Sequence, residues 1–121
     1  MNWLKWASVV MFVGITLGAF GAHGLKHVLS TEMKPVYETA VFYHLIHGLA
    51  LFGLAWLASQ KPDEPLIPYA GFAFLMGVVL FSGSLYVLAI SGVKKCGMIT
   101  PFGGLSFLAG WLFIFLTSLR N

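Results

Sequence analysis

Charge is scarce in this sequence. Lys, Arg, Asp and Glu together make up only 9% of 121 residues, where a soluble domain carries about 25%. That shortage excludes an ordinary water-facing fold. A chain this short buries only about 60–70% of its unfolded surface on folding, too little to hide a composition that is 59% hydrophobic. Lipid is therefore its solvent, in keeping with a mean hydropathy of +0.88. Cysteine is nearly absent. The single thiol, Cys96, closes no internal disulfide, and no CxxC or Cys/His cluster gives a zinc signature. Basic clusters are missing too. The net charge of +3 and pI near 9.2 resemble those of a nucleic-acid binder, but the basic residues stand singly except for Lys94-Lys95. Phosphate tracking needs them gathered on one face, so nucleic acid is excluded as a partner. Basic residues in loops beside anionic headgroups fit instead.

What is present is four long apolar runs, at about Trp6–Ala22, Thr39–Ala58, Ile67–Ile90 and Met98–Leu119, none with a charged residue inside it. Each approaches the roughly 20 residues needed to cross a bilayer. Only helices or closed barrels satisfy every backbone group in lipid, and runs of this length read as helices. The expected fold is all-α, a four-helix transmembrane bundle of two antiparallel hairpins, forming one domain over residues 1–121. Lys5 before the run Ala7–Phe20 resembles a secretory signal; we read it as a retained first span.

The connections hold nearly all the charge. The first is the longest, His23 to about Glu38, with Ser30-Thr31-Glu32 as a helix start and Pro35 early enough to be tolerated. The second, Gln60 to Pro65, is a short polar turn with two prolines that forces a hairpin. The third runs Ser91–Gly97, and Thr100-Pro101 then offers an N-cap residue and an N1 proline. Lys5, Lys61 and Arg120 fall on one side, Lys26, Lys34, Lys94 and Lys95 on the other. That balance is too even for the positive-inside rule to orient the chain.

Small residues recur at helical spacing: Gly14, Gly18 and Gly21 in the first span, Gly77 and Ser84 in the third, Gly103, Ser106 and Gly110 in the fourth. Such stripes let backbones approach where lipid supplies no hydrophobic drive between helices. Replacing Gly18 by Leu is expected to overpack its seam by about 1–3 kcal/mol. Trp3, Trp6, Trp56 and Trp111 fall near the span ends and read as an interfacial belt.

The sharpest polar feature is His44 and His47, three apart on one face with Tyr37, Ala40, Gly48, Leu51 and Ala55. Counted from Thr39, His47 lies about 12 Å into a roughly 30 Å core. A histidine at that depth faces the bundle, either as interhelical glue or as a functional group. Its expected partners are a hydroxyl or carbonyl on another helix, with Ser82, Ser84, Tyr86 and Thr100 as candidates. His23 and His27 lie near the end of the first span, which with His44 and His47 makes four imidazoles on two helices, but a bis-histidine haem or metal site fits them poorly. Haem ligands must oppose each other at matched depth, and the spans hold no carboxylate. Glu38 is the nearest acid. Serine-nucleophile chemistry needs a base and an orienting acid, and a buried acid is lacking. Serines in membrane helices usually bond their own backbone. No catalytic residue, metal site or cofactor is expected.

Four strings carry a resemblance: Leu17 to Leu25, Tyr43 to His47, Leu80 to Tyr86 and Thr100 to Trp111. Together they resemble the uncharacterised small membrane protein family filed as domain of unknown function 423, along essentially the whole chain. The resemblance implies a four-span protein of the bacterial inner membrane, with no established activity or cofactor. The family pattern matches at His23, His47, Ser82-Gly83-Ser84, Tyr86 and Thr100 to Gly110, while His44 and His27 fall outside it. His23 and His47 are therefore the preferred histidines, with His44 and Glu38 at lower weight. The leading expectation is a non-enzymatic protein that associates with itself, or with a larger membrane complex, among membrane lipids. A carrier or channel for a proton, ion or small solute is the alternative, and a haem- or quinone-binding redox subunit the third reading.

Overall fold

The computed structural model describes residues 1–120 and is all-helical. Asn121, the second terminus of the expected hairpin pair, lies outside the described residues. Helix α1 spans Trp3–His23, three residues earlier than the apolar run. The cause is a cap: the Asn2 Oδ1 accepts from the Lys5 N–H at 3.1 Å, satisfying one of the free donors of the first turn. Helix α2 spans Lys34–Gln60 and begins outside the apolar run, as the Ser30 region implied. The Ser30 Oγ accepts from the Met33 N–H at 3.1 Å, and Pro35 occupies the first turn, where no N–H partner is needed.

The third span is not a uniform helix. It runs as α3 (Leu66–Gly77), a π-helical turn (Val78–Ser82) and α4 (Gly83–Ser91). In the π turn the Gly83 N–H reaches back five residues to the Val78 carbonyl. Gly92 follows with φ 73°, the left-handed cap that glycine adopts without a Cβ penalty. A 3₁₀ turn, Lys94–Met98, leads into α5 (Thr100–Ser118). All four spans are long and apolar enough to cross a membrane.

The two hairpins are α1 on α2, and α5 on α3 with the π turn. They meet where α2 lies along the π turn and α4. One core joins Trp3, Ala7 and Val10 of α1 to Leu51 and Leu54 of α2, Phe74 of α3 and Phe107 of α5. A smaller one packs Leu25 and Leu29 of the first connection on Tyr37 and Ala89. At one end of the bundle the Arg120 Nε pairs with the Glu64 carboxylate at 3.0 Å. There the Lys61 Nζ also donates to the Arg120 carbonyl at 3.1 Å. This ties the α2–α3 turn to the end of α5. The start of α1 lies at the same end, where Trp3 packs over Gly71 and edge-on to Phe72.

The aromatic belt needs correction at two positions. Trp3 is buried, its ring filling the space that the missing Cβ of Gly71 leaves. Trp111 turns its N–H inward to a histidine. An indole seeks an acceptor for its N–H wherever one lies within reach, and here the bundle offers one.

Candidate functional site

The polar interior is built on α2. Its buried face carries Tyr37, Ala40, His44, His47, Gly48, Leu51 and Leu54, the 3.6-residue stripe of a helix packed on two sides. His44 is 3% exposed and His47 is 4% exposed, yet one turn of helix sends them to different neighbours.

His44 bridges α1 and α4. Its Nε2 lies 2.9 Å from the Val10 carbonyl, which only accepts, so Nε2 carries the proton. Its Nδ1 lies 2.8 Å from the Tyr86 hydroxyl, and in the neutral ring it accepts from that hydroxyl. His47 uses the opposite tautomer. Its Nδ1–H donates to the Tyr43 carbonyl of its own helix at 2.8 Å. Its Nε2 accepts from the Trp111 indole N–H at 3.0 Å. The ring is stacked on Phe107 with centroids 3.6 Å apart and planes 8° apart, and Phe74 tilts against it at 5.4 Å.

The partner of His47 is therefore an indole, not Ser82, Ser84, Tyr86 or Thr100. Of those four, only Ser84 and Thr100 bond each other; Ser82 and Tyr86 each reach a separate partner on α2. The Ser82 Oγ, fully buried, donates across to the Ala40 carbonyl of α2 at 2.8 Å rather than to its own helix. The Ser84 Oγ donates to the Phe81 carbonyl at 2.9 Å and so accepts from the Thr100 hydroxyl at 2.6 Å. The Tyr86 hydroxyl goes to His44. By hydrogen bonds His44, outside the family pattern, ties α2 to two other helices and His47 to one. His23 joins neither: it is exposed at the mouth of α1, as is Glu38 on α2. Sequence reasoning also missed the Ser106 Oγ, which donates to the Ala73 carbonyl of α3 at 2.7 Å.

The glycines explain how these bonds form. A Cβ on Gly14 would sit 3.2 Å from the His44 Nε2 and 2.8 Å from Leu45. Its absence admits the imidazole to the carbonyl of Val10, one turn earlier. Seven residues on, the device repeats. A Cβ on Gly21 would overlap the Tyr37 ring at 2.1 Å, and the Tyr37 hydroxyl donates to the carbonyl of Leu17, again one turn before the glycine. Gly14 and Gly21 on α1 thus face His44 and Tyr37 on α2, each pair separated by seven residues. Gly18, between them, is looser, with Val41 at 3.2 Å. Across the other hairpin, Gly77 would meet the Phe107 ring at 2.2 Å and Gly110 the Phe74 ring at 2.6 Å. Gly103 would meet the Phe81 backbone nitrogen at 2.2 Å. There α5 touches the π turn backbone to backbone.

Every buried side-chain nitrogen and oxygen among the described residues has a hydrogen-bond partner. In hydrocarbon an orphaned group costs several kcal/mol, so the network is consistent with lipid as solvent.

This arrangement sits inside a known family. A family model described as "Protein of unknown function (DUF423)" matches residues 17–104. The chain belongs to that family. It is 39% identical over 108 residues to the UPF0382 membrane protein YwdK of Bacillus subtilis, covering 89% of this chain and 88% of that one. It is 41% identical over 108 residues to a UPF0382 membrane protein of Staphylococcus haemolyticus, covering 89% and 87%. It is 38% identical over 117 residues to the UPF0382 inner membrane protein YgdD of Escherichia coli, covering 97% and 88%. No solved structure matches the chain. The matched region contains both buried histidines, Tyr86, the π turn and Gly103, whereas Trp111 lies beyond it. With four spans and these relatives, the protein is a multi-pass membrane protein of the bacterial inner-membrane type.

Proposed function

We propose that this chain is a non-enzymatic membrane protein, a small bundle that associates with itself or with a larger membrane complex. The observation that carries the reading is that its interior polar groups are consumed within the bundle. Both ring nitrogens of His44 and of His47 are engaged in fixed, opposite tautomers. A metal or haem iron needs a free imidazole lone pair, and a proton carrier needs a ring that can turn between two partners. These two rings are held as interhelical ties. The outer helices meanwhile present large side chains away from the bundle: Phe12 and Ile15 on α1, Leu105, Leu108 and Leu112 on α5. Lipid covers such faces as readily as protein does, so association rests on shape at those faces.

The test uses photo-cross-linking residues placed singly at Phe12, Ile15, Leu108 and Leu112 in native membranes, with cell phenotype followed in parallel for His47→Gln. The reading expects a discrete protein adduct from at least one face. It also expects His47→Gln to fold and keep the phenotype, because an amide both donates and accepts. Lipid adducts alone at all four positions, or a folded His47→Gln that has lost a proteoliposome flux shown by the unchanged protein, contradict it.

A further inference from the structure

The tight pairing of α1 and α2 opens at one end into a half-enclosed groove of about 750 Å³, within the size range of ligand pockets. Its floor is apolar, with Gly18, Ala22, Leu25, Val41 and Leu45 among its walls. Its rim carries His23, Lys26, Lys34 and Glu38. Neither lysine forms an ion pair among the described residues, and Glu38 is unpaired as well. The groove thus has an apolar wall running into the span and a rim on which two free ammonium groups outnumber one carboxylate. It also sits where a headgroup would, because α1 ends at His23, at the border of its apolar run, and α2 begins at Lys34, before the apolar run that starts at Thr39.

We propose that this groove is a binding site for an anionic phospholipid, with an acyl chain along Val41 and Leu45 and the phosphate between Lys26 and Lys34. Charge complementarity selects this occupant. A second protein copy would set a rim of two lysines and one carboxylate against another of the same net positive charge, while lysines beside the membrane surface attract anionic lipid. Glu38 sets a limit, since it repels an anion that sits too deep along α2. The glycine–ring device described above keeps the groove open: Tyr37 is held back against Gly21 with its hydroxyl bonded to Leu17, so the ring does not fold into the space. The proposal goes beyond the association reading and can fail without it.

The experiment uses the full chain in nanodiscs of phosphatidylcholine doped with a photoreactive phosphatidylglycerol, followed by peptide mapping and by native mass spectrometry of retained lipid. We expect phosphatidylglycerol adducts concentrated on Val41–Leu45 and Leu25–Leu29. Lys26→Ala and Lys34→Ala should each lower phosphatidylglycerol retention about fivefold, the effect of removing one basic residue near the surface. Lys94→Ala with Lys95→Ala, at the same end of the bundle but outside the groove, should leave it unchanged. Ala22→Trp, which fills the floor without altering charge, should also lower it, and circular dichroism checks that the variant folds; should it not fold, the lysine variants decide the matter. Adducts spread evenly over the lipid-facing surfaces, an equal loss on removing Lys94 and Lys95, or chain-to-chain adducts through Phe42 in place of lipid adducts would overturn the proposal.

Discussion

The two hairpins of this bundle use glycine for different ends. Between α1 and α2 two glycines admit polar rings: Gly14 makes room for His44 and Gly21 for Tyr37, and each ring reaches a carbonyl of the facing helix. Between the third span and α5 the glycines admit bulk and backbone. Gly77 and Gly110 receive the rings of Phe107 and Phe74, and Gly103 lies directly against the Phe81 backbone. The first seam is hydrogen-bonded and ends in an open groove. The second is closed, aromatic and built on the π turn. With no hydrophobic drive between helices in lipid, a seam is held by close packing, by polar bonds or by both; ring-to-carbonyl bonds lead in the first seam, while in the second the Ser106 bond to the Ala73 carbonyl supplements aromatic and backbone packing. The single turn of α2 from His44 to His47 is where the two regimes meet.

The second seam is most sensitive at Gly103. The nearest neighbour of an added Cβ is backbone, which cannot rotate away, so Gly103→Ala should destabilise by about 3 kcal/mol or prevent folding. Thermal unfolding in detergent measures it, and a loss below about 1 kcal/mol would mean that the second seam is not closed as described. His44→Leu comes next. It removes two interhelical bonds and leaves the Tyr86 hydroxyl without its acceptor, for an expected loss of about 2 kcal/mol. The same change combined with Tyr86→Phe should cost less than the two single losses added together, because the pair shares one bond. Trp111→Phe keeps the aromatic packing and deletes only the N–H to His47, so about 1 kcal/mol is expected. Gly18→Ala should have the smallest effect, within about 0.5 kcal/mol, since only one Val41 methyl must give way and a helical alanine offsets part of that. If Gly18→Ala proved as damaging as Gly103→Ala, the distinction between an adaptable and a closed seam would be gone.

Much of the fold was legible because lipid imposes simple rules. Charge-free runs near 20 residues, separated by polar turns, allow little besides four helices. Helical spacing likewise placed His44 and His47 on the buried face and put Gly14 and Gly21 on one stripe. Spacing does not tell which neighbour a buried residue meets, and there the reading stopped. His47 goes to Trp111, which its position near a span end had marked as interfacial. Ser82 goes to Ala40 of another helix because the π turn, which nothing in Val78–Ser82 announces, shifts the register of the third span. Gly103 of α5 lies directly against the backbone of that turn. One signal was available and unused. Two glycines seven apart on one helix, facing a tyrosine and a histidine seven apart on the next, mark a repeated ring-to-carbonyl bond.

The two buried histidines are fixed ties with opposite tautomers. Nitrogen-15 NMR of the histidine-labelled protein in bilayers tests it most directly, with His44→Gln and His47→Gln used to assign the signals. A protonated Nε2 and an accepting Nδ1 are expected for His44, and the reverse for His47. The same tautomer in both rings, or a His47 Nε2 signal unmoved by Trp111→Phe, would contradict it.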